Sequence, residues 1–335
     1  MTIPYRTRQT LRRMALVLLA VLLVAVLVWG CWIVWLSRYV IYTQDGAKID
    51  FSLPEQLLSG TLAQPPEPGE TIPISYDDAP GAVSTELAQI NGYYVDAAAL
   101  KDIPAVHAQI QALPAGTAVM VDVKNIYGSF YYSSGVSTAR SSAVDVQAMD
   151  GLIEALNKRN LYTIARLPAL RDYQYGLNHV PDGLPTAGGY LWLDSDGCYW
   201  LNPASSGTLS YLIQIVNELK SLGFDEVVFY DFYFPDTTGI VYKNDKAEAL
   251  ATAAKTLVSS CATDSFGVSF VGKSDFALPE GRSRLYIENA EPINVAGIAQ
   301  QTGLADPEIR LVFLTTLHDT RFDKYSVLRP LSAAH

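Results

Sequence analysis

Three cysteines in 335 residues leave little for covalent cross-linking. Only Cys198 and Cys261 lie outside the apolar N-terminal run, so at most one disulfide is available there and a disulfide-scaffold protein is excluded. Histidine is equally sparse. His107, His179, His318 and His335 show no H-E-x-x-H or comparable ligand spacing, so no metal site is indicated. No strand-like stretch is followed by G-x-G-x-x-G or G-x-x-x-x-G-K-[ST], which removes support for nucleotide chemistry, and no cofactor is expected. Basic residues are scarce over most of the chain: residues 1–38 hold Arg6, Arg8, Arg12, Arg13 and Arg38 with no acid, whereas the other 297 carry 19 basic and 34 acidic side chains. Phosphate recognition needs clustered Lys and Arg on the domain itself, so a nucleic-acid partner is not expected.

What the chain does have is apolar residues, 49% of the total, enough to bury a sizeable core. From Met14 to Leu36 runs MALVLLAVLLVAVLVWGCWIVWL, 23 residues without a charge. At about 1.5 Å rise per residue such a helix spans the roughly 30 Å hydrocarbon core. It is too long for the h-region of a cleaved signal peptide, and no small-x-small site follows it. Four arginines precede the run and only Arg38 closely follows, so residues 1–13 are expected to be a cytoplasmic tip and the rest extracytoplasmic. Trp29, Trp32, Trp35 and Tyr39 suit the outer interface.

Residues 37–90 contain Pro54, Pro65, Pro66, Pro68, Pro73 and Pro80 and read as an extended stalk in which a short strand or helix could hide. From residue 91 to 335, strand-like and helix-like stretches alternate, the pattern of an α/β protein. Strands are predicted at 92–96, 117–123, 161–167, 226–232, 266–270, 284–287 and 309–315, with helices at 103–113, 145–158, 207–222 and 245–260. Seven strands over about 245 residues suit a (β/α)8 TIM-like barrel, complete or distorted, with the eighth strand unlocated. A doubly wound open sheet is the alternative.

In such barrels chemistry sits at the C-terminal strand ends. Asp122 and Lys124 are two apart, so both share a face opposite Val119, Val121 and Val123 and are expected at the barrel mouth. The alternative is a buried ion pair. Arg166 ends the third strand, where it would bind a sugar hydroxyl, a carboxylate or loop carbonyls. Glu288 ends the sixth and is a candidate general acid if partial burial raises its pKa. Between Leu170 and Leu201 the chain concentrates Tyr173, Tyr175, Tyr190, Trp192, Tyr199 and Trp200 with Asp194 and Asp196, a long excursion of the kind that carries function. Trp192 and Trp200 are candidate sugar-stacking rings, although such rings also pack loops onto barrels.

The stretches VMVDVKNIYGSFYYSS, NLYTIARLPALRD, GYLWLDSDGCYWLNP and SLGFDEVVFYDFYFP, in this order, resemble a bacterial glycoside-hydrolase family built on a TIM barrel and often tethered to the cell envelope. The resemblance covers about residues 91–260. That family reads F-D-Y-x-R-F-P at the end of its fourth strand; here Tyr230 stands at the Asp position and Tyr233 at the Arg position, with Asp231 one residue later. A one-residue slip turns a strand side chain to the opposite face, so without a bulge Asp231 would point toward the helices. Related barrels reading F-D-D-Y-x-Y-P place their second Asp on Asp231. The resemblance implies glycoside hydrolysis of envelope or extracellular polysaccharide, with Asp231 as nucleophile or base and Glu288 as general acid. Asp122, Lys124, Arg166, Tyr230, Trp192 and Trp200 would bind the sugar. The other class of function is an inactive barrel serving as a glycan-binding or scaffold module in the envelope, favoured by Tyr230 and Tyr233.

Overall fold

Strands that are apolar on both faces must be covered on both, and a parallel barrel wrapped by helices does this. The computed structural model describes the strand residues 40–43 and 46–49 and residues 87–331 except 138. The chain divides between Asp78 and Ala79 into two units. In the first, β1 (Val40–Thr43) pairs antiparallel with β2 (Gly46–Ile49), Val40 opposite Ile49. Part of the expected stalk is thus a hairpin. The predicted membrane helix over residues 14–36 lies outside the described residues, among which no helix is long and apolar enough to cross a membrane.

The second unit is a closed parallel barrel of eight strands: β3 (Asn91–Val95), β4 (Ala118–Asp122), β5 (Tyr162–Pro168), β6 (Glu226–Tyr230), β7 (Gly267–Val271), β8 (Leu285–Glu288), β9 (Leu311–Leu314) and β10 (Ser326–Pro330). The missing eighth strand is β10, which closes the barrel between β9 and β3. Gly92 is required in β3 because a Cβ there would lie 1.9 Å from the Ala118 carbonyl oxygen.

Four helices lie outside the strands: α1 (Ile103–Gln111), α2 (Val146–Asn157), α4 (Ser206–Ser221) and α5 (Lys246–Cys261), while a short α3 (Tyr173–Asn178) lies in the excursion. Each starts at a side-chain cap, Asp102, Asp145, Asp172, Ser205 or Asp245, which accepts orphan backbone N–H groups. The α6 (Val295–Thr302) and α7 (Pro307–Arg310) helices follow β8. The β7–β8 connection has no helix.

Side chains alternate as a two-faced strand requires. Val119, Val121 and Val123 join the outer core under the helices, whereas Ala118, Met120, Ile164, Val228, Tyr286, Val312 and Leu328 pack together in the lumen. The lumen base is polar: Glu226 pairs with Arg284, and Tyr162 and Tyr286 donate hydroxyls to Glu226 at 2.8 and 3.0 Å. Arg284 also donates to the Ala88 carbonyl at 2.8 Å, tying the entering chain to the barrel floor. Cys198 and Cys261 are both buried and free.

Candidate active site

The C-terminal strand ends converge on two guanidinium groups. Asp122 and Arg166 are register partners on β4 and β5, and both project into the mouth. Arg166 donates to Asp122 Oδ1 at 3.0 Å and reaches across the barrel to Glu288 Oε1 at 2.6 Å. Its flat group also lies 4.4 Å from the centre of the Tyr230 ring, a cation–π contact that fixes its plane. The second Asp122 oxygen accepts from Ala97 N–H at 3.1 Å. Burial pushes the Asp122 carboxyl up, against the pull of Arg166.

Asp231 directly follows β6, with its backbone in the left-handed region at φ 52°. That single reversal takes Asp231 out of the strand's alternation. Phe232 occupies the helix-facing place instead, 2% exposed, with its ring centre 4.8 Å from that of Phe270. Asp231 is half-buried at the rim, its Oδ2 3.9 Å from Arg171 Nη1. The expected orientation between strand and helix is therefore corrected, by backbone conformation rather than by a bulge. Burial raises the Asp231 pKa; Arg171 and Arg166 oppose this, and the charges of Glu288 and Asp194 add to it. Asn289, after Glu288, is likewise left-handed at φ 56°.

Arg171 was not singled out from the sequence. It opens the excursion and is held by Asp194 at 2.6 Å and by Asp196. Asp194 in turn accepts from Trp200 Nε1 at 2.9 Å and from the Cys198 N–H. The available signal was its place three residues beyond the end of β5, a strand-end cation facing two loop acids. Tyr94 and Tyr131 were also missed. Tyr131 is buried beside Asp122, and burial pushes its hydroxyl up to about 12.

Asp122, Arg166, Tyr230, Asp231 and Glu288 are thus brought together, and three other candidates are not. Lys124 is 1% exposed, with Nζ 2.6 Å from Asp172 Oδ2 as a charge contact without hydrogen-bond alignment. Phe130 and Tyr211 lie against it at 5.8 and 5.9 Å. The chain leaves the strand after Asp122, so the period-two argument no longer applies at Lys124, and its reading as a mouth residue is corrected to a buried ion pair. Trp200 is 3% exposed, its ring against Tyr233 and its N–H spent on Asp194, so no sugar can stack on it. Trp192 is half-buried against Gly239, where a Cβ would meet its indole at 2.7 Å. Both indoles fasten the excursion to the barrel.

Next to Asp231 in the chain, between α5 and the β7–β8 connection, a cleft of about 730 Å³ is walled by Phe232, Tyr233, Phe234, Leu250 and Phe276, with Asp236, Lys246, Lys273 and Asp275 also lining it. An apolar trough next to a paired-carboxylate mouth can hold a ligand across two acids, which suits acid–base cleavage.

Residues 93–264 match the profile of a family described as "Putative glycosyl hydrolase domain". Among solved structures, a GH20 exo-β-N-acetylglucosaminidase from Vibrio harveyi in complex with N-acetylglucosamine aligns with TM-score 0.50 and 10% identity. The alignment covers 72% of this chain and 50% of that one, so the chain spans about half the length of that enzyme. A hypothetical protein from Ruminiclostridium thermocellum aligns with TM-score 0.46 and 19% identity over 53% of this chain and 96% of that one. The glycoside hydrolase domain of PelA from Pseudomonas aeruginosa gives 0.47 and 10% over 75% and 97%. At 10% identity the likeness to the Vibrio harveyi enzyme is one of fold. No match was found among the curated proteins.

Proposed function

The chain belongs to this glycosyl hydrolase domain family, and from that premise we propose that its barrel hydrolyses glycosidic bonds of envelope or extracellular polysaccharide at the mouth, with Asp231 and Glu288 as the acting carboxylates. The observation that carries this reading is the left-handed backbone at Asp231, which brings the displaced aspartate to the rim near Arg171 and within the field of Glu288. Two carboxyls in unlike environments are what glycoside hydrolysis requires.

The environments support exchanging the two roles read from the sequence. Asp231, raised by burial, suits the acid that protonates the leaving oxygen. Glu288, paired with Arg166 at 2.6 Å, suits the carboxylate that attacks the anomeric carbon or activates water. Arg166 positions Glu288 and Asp122, and Tyr230 packs against its guanidinium.

The test is turnover of a panel of cell-wall and plant glycans by the full chain in a sugar-free detergent. Asp231→Asn and Glu288→Gln should each lower turnover by about 10²–10⁴-fold, the usual worth of a positioned acid or base. An aryl glycoside, whose leaving group needs no proton, should restore turnover to Asp231→Asn but not to Glu288→Gln. Binding without turnover by the wild type would instead support a glycan-binding module, a reading favoured by Tyr230 occupying the family's Asp position and packing on Arg166.

The anchor belongs to the same proposal: residues 14–36 span the membrane once, residues 1–13 are cytoplasmic and the barrel is extracytoplasmic. The charge-free run and the four preceding arginines support it.

A further inference from the structure

A second cavity, of about 570 Å³, lies away from the mouth, between the excursion and α4, and none of Asp122, Arg166, Tyr230, Asp231 or Glu288 lines it. One wall is a column of three stacked rings: His179 on Tyr175, centres 4.1 Å apart, and Tyr175 on Tyr211, 4.0 Å apart. The column is locked from behind. Tyr211 donates its hydroxyl to Asp172 at 2.8 Å, and Asp172 holds the buried Lys124. From the front, Tyr175 donates its hydroxyl to Asp182 at 2.9 Å.

The other walls come from two helices, each presenting an i, i+4 pair on one face: Gln174 and Asn178 from α3, Ser210 and Gln214 from α4. Among the described residues none of these four side chains has a hydrogen-bond partner within the protein, so three planar amides and a hydroxyl are available to a ligand. Glycines let the walls of the cavity approach closely. A Cβ on Gly207 would fall 2.1 Å from the Asp182 carboxylate, and one on Gly128, at φ +83°, 2.6 Å from Gln174 Cβ. No Lys or Arg lines the cavity.

From this chemistry we infer that the cavity is a second binding site for a neutral oligosaccharide, separate from the mouth. A carboxamide offers a donor and an acceptor side by side, matching the vicinal hydroxyls of a sugar. The exposed histidine face and the edges of the ring column accept the apolar C–H surface of a pyranose. The missing cations argue against phosphorylated or uronic-acid ligands. The site shares with the proposed function the premise that the ligand is a glycan, but it needs no bond cleavage.

The experiment is ligand-observed saturation-transfer NMR on the full chain in dodecyldimethylamine oxide, which carries no sugar. The probes are cellotetraose, xylotetraose, mannotetraose and chitotetraose, with tetragalacturonic acid as the anionic comparison. The expected result is millimolar or tighter binding of at least one neutral probe. Its affinity should fall at least tenfold in the Asn178→Ala/Gln214→Ala double variant, and independently in His179→Ala, while staying within twofold in Glu288→Gln. Asn178 and Gln214 are exposed and make no hydrogen bond within the protein, and His179 is exposed beyond its stack on Tyr175 and its contact with the Tyr175 carbonyl, so the variants should fold; an unchanged unfolding midpoint checks this for each. The inference is overturned if no neutral probe binds up to about 10 mM, if the double variant binds as the wild type does, or if the anionic probe binds equally well. A chain that turns over no glycan yet passes this test would remove the hydrolase reading and leave the second site standing.

Discussion

At the scale of single residues, the mouth combines stability costs with functional placement. Burial raises the Asp231 carboxyl, so the folded state holds that proton more tightly than the unfolded chain. The associated stability is present below the unfolded value near 3.8 and is lost as pH rises through the folded value. Asp231→Asn should therefore raise the unfolding midpoint at pH 7–8 while lowering turnover, and the gain should vanish near pH 3; scanning calorimetry at the two pH values checks it. Asparagine tolerates the left-handed backbone, so no strain offsets the effect. The reverse holds for Lys124. Lys124→Ala leaves Asp172 buried without its counter-charge and should cost about 3–5 kcal/mol in denaturant unfolding, whereas Lys124→Met with Asp172→Asn, which removes both charges and keeps a side chain able to cap α3 and bond Tyr211, should cost less.

The conformation of Asp231 also marks where sequence reasoning stops at this scale. Asp122, Arg166 and Glu288 were legible because each lies at or near the end of a regular strand, where period two decides the face. Asp231 was legible as a residue but not as a direction. One positive φ reverses the outcome, and an aspartate adopts that φ or not according to its surroundings. Lys124 and the two indoles failed differently: whether a loop side chain meets ligand or core depends on what folds over it.

At the scale of elements, seven strands could be read as apolar runs, and the eighth could not. Ser-Val-Leu-Arg-Pro is short, carries a cation and ends in a proline, so β10 lacks the run that reveals the others. Its identity is tertiary: Ser326 Oγ accepts from the Ile90 N–H at 3.0 Å, and Val327 N–H donates to the Ile90 carbonyl at 3.0 Å, closing the barrel seam. Ser326→Ala leaves the buried Ile90 donor unsatisfied and should cost about 1–3 kcal/mol, with faster amide exchange along β3 and β10. The β7–β8 connection carries no helix, and its residues Lys273 and Phe276 line the aromatic cleft next to the Asp231 loop.

At the scale of the whole molecule, the anchor proposal makes a separate prediction. The full chain should stay in the membrane fraction through high-salt and carbonate washes, and a chain lacking residues 1–36 should be released. External protease should degrade the barrel of intact spheroplasts and spare an epitope on residues 1–13. A barrel protected from outside would reverse the orientation inferred from the arginines.

The way the chain enters the barrel has a mechanical consequence. Residues 87–90 run straight into β3, which lies parallel between β10 and β4, and the Arg284–Ala88 bond grips the chain just before that strand. Tension applied along the strand from its N-terminal end therefore loads β3 along its own length. Its hydrogen bonds to both neighbours share the load and must yield together, instead of peeling apart one at a time. A tether attached at this point meets the most pull-resistant direction of the sheet, and the strand ends that form the mouth lie at the opposite end from the grip.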